Sequence, residues 1–101
     1  MVATVTVRYF AGCPNWSDAV ALVRAVLDDS GLEDMPIELE PVETPQDAER
    51  LGFIGSPTIL VDGHDPFDPG DAPVGLACRV YRTSVGLRGI PSRADLERVL
   101  N

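Results

Sequence analysis

The chain has 101 residues, enough for one domain with a modest core, and its 45% hydrophobic content argues against disorder. Sixteen acidic residues stand against eight arginines and no lysine, a net charge of -8 that speaks against binding a phosphate backbone. The longest apolar stretches fall far short of the ~20 residues a membrane-spanning helix needs, and MVATVTVRYF lacks the pattern of a secretion signal, so the expected setting is the cytoplasm, with neither nucleic acid nor membrane as partner.

Residues 2–10 alternate and are rich in β-branched side chains, with Val5, Val7 and Tyr9 on one face. They read as a first strand. Ala11-Gly12-Cys13-Pro14 reads as a turn that puts Pro14 at the first helical position. Trp16, Ala19, Val20, Val23, Val26 and Leu27 then recur at helical spacing up to Ser30, and Gly31 is the expected stop. Residues 36–42 alternate Ile37 and Leu39 with Glu38 and Glu40, giving a second strand. Thr44-Pro45-Gln46-Asp47 sets a capping residue, a proline and a first-turn acid in order, and the short helix that follows ends at Gly52. Gly55-Ser56-Pro57 leads into a third strand, Thr58 to Val61. A long Pro/Gly/Asp-rich loop runs from Asp62 to Gly75. Residues 77–82 are expected to return as a strand antiparallel to the third. Ser92-Arg93-Ala94-Asp95 opens a closing helix in the manner of a capping box. The expected order is β-α-β-α-β-β-α, an α/β sandwich with a mixed sheet, formed as a single domain over residues 1–101.

That order, with two local features, resembles the thioredoxin fold. The first is the strand, turn and helix start Phe10-Ala11-Gly12-Cys13-Pro14-Asn15-Trp16. Its Cys-Pro step is similar to glutaredoxins, and the GCPN run to small actinobacterial thioredoxin-like proteins. The second is Gly55-Ser56-Pro57-Thr58 ahead of the third strand. The resemblance implies a three-layer sandwich. It implies a redox role for Cys13 and a cis-proline at Pro57 that faces it and offers backbone groups to substrate. It departs from the family at the second position of the redox pair: Cys-x-x-Cys is replaced by Cys13-Pro14-Asn15-Trp16, so the motif holds no resolving cysteine.

The nucleophile in thiol chemistry is the thiolate, and a sulfur at a helix start meets unpaired N–H groups and the positive end of the dipole. Cys13 is therefore the candidate nucleophile, against the reading that it is a small turn residue. Cys78 is expected to be remote. It begins the strand that returns from the far end, and at ~3.3 Å per residue it falls more than ~10 Å from Cys13. A disulfide needs Cα atoms within ~7 Å. Arg82, at the other end of that strand, is expected near Cys13, where it either stabilises a thiolate or is a solvated surface arginine. Trp16 either lines a groove beside Cys13 or joins the core. Asp62, His64, Asp65, Asp68 and Asp71 read as turn residues rather than a metal site, although the loop's length suits a lid or a partner surface.

The expected function is a monothiol thiol–disulfide oxidoreductase. Cys13 attacks, and Pro14, Trp16, Ser56, Pro57, Thr58 and Arg82 serve as binding residues. The partner is a disulfide-containing protein or a small thiol. The expectation includes no metal and no tightly bound cofactor, with a low-molecular-weight thiol as co-substrate to resolve the mixed disulfide. The alternatives are a non-catalytic binding module, or soft-metal and organomercurial handling through Cys13.

Overall fold

The computed structural model describes residues 2–67 and 73–100. In chain order the elements are β1 (Val5–Tyr9), α1 (Trp16–Asp29), β2 (Ile37–Pro41), α2 (Pro45–Leu51), β3 (Thr58–Val61), β4 (Tyr81–Thr83), β5 (Gly86–Arg88) and α3 (Arg93–Leu100). Among the described residues the protein is a mixed α/β fold with three helices and one strand more than the sequence implies.

β1 lies at the centre of a three-stranded mixed sheet of order β2-β1-β3. It runs parallel to β2, with Val5 opposite Ile37, and antiparallel to β3, with Val5 opposite Val61. The parallel pair is joined through α1, the crossover a parallel connection requires. Alternation along β1 sends Val5 and Val7 into a cluster with Val23, Val26 and Leu27 of α1, Ile59 of β3, and Leu96 and Leu100 of α3. Fully burying a side chain of this size stabilises the fold by ~1.5–3 kcal/mol. Arg8, on the other face, donates to the Leu51 carbonyl at the end of α2. A second cluster joins Val42, Ala48 and Phe53.

Local chemistry sets most helix ends. Thr44 Oγ1 accepts from the Asp47 N–H at 3.0 Å, and Gly52 closes α2 in a left-handed conformation (φ 64°). Ser92 Oγ accepts from the Asp95 N–H at the start of α3. The start of α1 differs from expectation. The helix begins at Trp16, Asn15 is its N-cap, and Pro14 lies in the preceding turn rather than at the first helical position.

The larger correction concerns the return from β3. Residues 77–82 do not form a strand against it. β4 pairs with β5 in a separate two-stranded sheet, with Tyr81 opposite Arg88 and Thr83 opposite Gly86. The stretch before β4 instead runs beside Ser56 and forms an isolated parallel bridge between Ser56 and Cys78.

Candidate functional site

The polypeptide leaves β1 at Tyr9 and turns sharply, the Cys13 N–H donating to the Phe10 carbonyl at 2.9 Å. This turn holds Cys13 two residues ahead of the α1 N-cap. Its side chain is buried, 1% exposed. Cys13 Sγ donates to the Ser56 carbonyl at 3.4 Å, next to Pro57, whose peptide bond to Ser56 is cis. Its second partner is the thiol of Cys78: Cys78 Sγ donates to Cys13 Sγ at 2.7 Å. Both cysteines are free thiols, Cys13 buried and Cys78 exposed.

The expected remoteness of Cys78 is therefore overturned, and the reason is topological. A hairpin partner of β3 starts at the far end of that strand. Here the loop after β3 carries the chain back to the near end, where two backbone hydrogen bonds fix it. The Ser56 N–H donates to the Ala77 carbonyl and the Arg79 N–H to the Ser56 carbonyl, each at 2.8 Å. The bridge sets Cys78 level with Ser56, whose carbonyl also holds Cys13.

Gly55 makes this approach possible. Its φ of +131° suits glycine alone, and a Cβ there would lie 2.9 Å from Arg79 Cβ and 3.0 Å from Arg79 Cα. Arg79 anchors the segment from below. Its buried guanidinium bonds Asp65 Oδ2 at 2.6 Å and the Phe67 carbonyl at 2.9 Å, and lies 4.5 Å from the Tyr81 ring centroid. Tyr81 donates its hydroxyl to the Pro57 carbonyl, and burial pushes its phenol far above the ordinary value. The chain on both sides of the Ser56–Pro57 step is thus tied to residues 77–81.

The hydrogen bond to Cys13 raises the Cys78 thiol above its ordinary value. The bond requires the proton to stay on Cys78, so ionising that group forfeits it. Ser56 Oγ is buried and has no hydrogen-bond partner among the described residues. Thr58, also buried, donates to the Gly55 carbonyl at 2.6 Å and closes the loop on itself.

The other expected site residues are dispersed. Trp16 is half-buried and stacks on Tyr9, ring centroids 4.2 Å apart, at the end of β1. Arg82 is exposed, lies across β4–β5 from Leu87 and makes no hydrogen bond to either sulfur. Pro14 is exposed in the turn. Sequence reasoning missed a groove of about 210 Å³ between the α1 start and the β4–β5 hairpin, lined by Asn15, Thr83, Val85 and Ile90 among others.

Within the acidic loop, Asp62 lies in the turn after β3 with φ 53°. Its carboxylate reaches across to the N-terminal segment and accepts from the Ala3 and Thr4 N–H groups, which hold it below the ordinary value. Asp65 pairs with Arg79, and His64 exchanges backbone hydrogen bonds with Val61. Asp68 and Asp71 lie outside the described residues. Among the described residues no group of three or more His, Cys, Asp or Glu is arranged to hold a metal ion, and no helix is long and apolar enough to cross a membrane.

Compared with protein-family models, curated proteins and solved structures, the chain gives no match in any of the three.

Proposed function

We propose that the protein is a thiol–disulfide oxidoreductase of thioredoxin-like architecture. Its working centre is Cys13, held in the turn ahead of α1 against the Ser56–Pro57 step. The observation that carries this reading is the 2.7 Å separation of the Cys13 and Cys78 sulfurs. A disulfide bond is ~2.05 Å long, so a small shift of either side chain brings the sulfurs to bonding distance once a disulfide substrate takes up their two electrons and two protons. Two thiols side by side exchange two electrons with a disulfide substrate without borrowing a third from solution. The sequence alone called for an external resolving thiol because it placed Cys78 far from Cys13. With Cys78 in contact, the dithiol cycle is the simpler chemistry, and a low-molecular-weight thiol becomes a reductant of the oxidised pair rather than an obligatory resolver.

The reading is supported further by the surroundings. The backbone beside Pro57 follows the two sulfurs into the site, and a disulfide-containing protein or small thiol is the partner class this chemistry recognises. The test is catalysed reduction of a protein disulfide by dithiothreitol. The wild-type chain accelerates it and Cys13→Ala does not. A rate equal to that of dithiothreitol alone contradicts the proposal.

A further inference from the structure

Thiol–disulfide exchange is an in-line displacement, so the attacking sulfur must reach the substrate's sulfur along the S–S axis. Cys13 is 1% exposed and covered by its neighbours. Cys78 is exposed, on a segment that among the described residues has no strand partner beyond its bridge to Ser56. The roles assigned by motif position and by accessibility therefore conflict.

We propose that Cys78, not Cys13, is the sulfur that meets the substrate disulfide, and that Cys13 acts beneath it, first as base and then as resolving thiolate. The proposal rests on the thiol–disulfide reading above and adds the order of events within it.

In the proposed cycle the reactive form is the pair with one proton lost to water and the other on Cys78, the donor in the hydrogen bond between the sulfurs. As Cys78 Sγ attacks, that proton passes to Cys13 Sγ. A Cys78–substrate S–S bond forms, the substrate's own S–S bond breaks, and its electron pair leaves on the second substrate sulfur. That thiolate takes the proton from Cys13. Cys13 Sγ then attacks Cys78 Sγ, forming the internal disulfide and expelling the first substrate sulfur, which takes a proton from water. The pair has lost two electrons and the substrate has become a dithiol. Reset runs in reverse: an external thiol attacks Cys78 Sγ, the exposed end of the bond, and Cys13 leaves. A second external thiol then attacks the sulfur bound to Cys78, releasing Cys78 as a thiol and carrying the two electrons' worth of oxidation away as the external disulfide.

The hydrogen bond between the sulfurs fits this order. It raises the Cys78 thiol, so the proton must be removed as the sulfur attacks, and Cys13 Sγ is the group placed to remove it. The arrangement also protects the buried sulfur from irreversible oxidation, which follows exposure.

Two measurements test the order. In the first, oxidised wild-type protein is mixed with excess glutathione, quenched in acid within the reaction, and mapped by peptide mass spectrometry. The expected mixed disulfide is on Cys78; one found predominantly on Cys13 overturns the order while leaving the oxidoreductase reading standing. In the second, reduced Cys13→Ser and Cys78→Ser are treated with oxidised glutathione. Cys13→Ser is expected to accumulate a stable adduct on Cys78, and Cys78→Ser to react at least about tenfold more slowly, since access governs thiol reactivity. Equal or faster labelling of Cys13 in Cys78→Ser overturns the proposal. Failure of the wild-type chain to form the internal disulfide with any oxidant contradicts the oxidoreductase reading itself.

Discussion

At the scale of single residues, the contact between two sulfurs carries a measurable consequence. Cys78 keeps its proton because Cys13 Sγ accepts it, and that hydrogen bond is the largest cause of its raised value. Replacing Cys13 with alanine removes the acceptor. The pH profile for iodoacetamide alkylation of Cys78 should then move to lower pH, and the rate at pH 8 should rise. Below its pKa a thiol gains about tenfold in thiolate fraction for each pH unit by which that pKa falls. An unchanged profile would show that the two thiols do not share a proton. What the sequence revealed among single residues was uneven. Cys13 was legible because β1 alternation, a turn and helical spacing bracket it. Asp62 was legible as a turn residue because it stands in a Pro/Gly/Asp-rich run, and it does lie in the turn after β3. Its carboxylate's contact with the Ala3 and Thr4 amides, at the other end of the chain, was not legible. Cys78 was not legible, because its neighbours carry no period and its place depends on a backbone bridge to Ser56, 22 residues earlier in the chain.

Among the elements, the site is a meeting of three loops, the Cys13 turn, the Ser56–Pro57 step and residues 77–79, rather than of strands. The Ser56–Pro57 step and residues 77–79 touch because Gly55 has no side chain and the Arg79 backbone fills the space. Gly55→Ala must therefore move the Arg79 segment or rebuild its own φ of +131°. The prediction is a folded but less stable chain in which the two sulfurs separate. Formation of the internal disulfide slows relative to wild type, while alkylation of Cys78 persists. Wild-type rates of disulfide formation in Gly55→Ala, read by mass spectrometry after an acid quench, would mean that the thiols are held together by something other than this close approach. The short helix α2 was readable from Thr44, Pro45 and Gly52 because both its caps are local. The start of α1 was misread by two residues, because the fixed φ of Pro14 suits the turn before the N-cap as well as the first helical position. The return strand was misread for a different reason. β-rich composition in residues 77–82 is compatible with any antiparallel partner, and the one it takes is β5 rather than β3.

For the molecule as a whole, the three-stranded sheet with α1 and α3 packed on it forms the main body of the fold, and the cysteines lie in segments outside its strands. The chain as a whole carries a net charge of -8. Beyond a Debye length of ~8 Å it is screened, so it shapes encounter with charged partners more than a proton shared across 2.7 Å. The element order was legible because each helix and strand of the body has its own periodicity. The long connection from β3 to β4 was not, because nothing local dictates where an irregular chain docks. If the two sulfurs act as one redox unit, a thiol count in graded glutathione redox buffers will show it. Each sample is acid-quenched and alkylated, and the modified thiols are counted on intact protein. The expected result is a single transition in which two alkylatable thiols disappear together, with no glutathione adduct at its end. Retention of both thiols across the whole range, or stepwise gain of one adduct per cysteine, would contradict a shared redox unit.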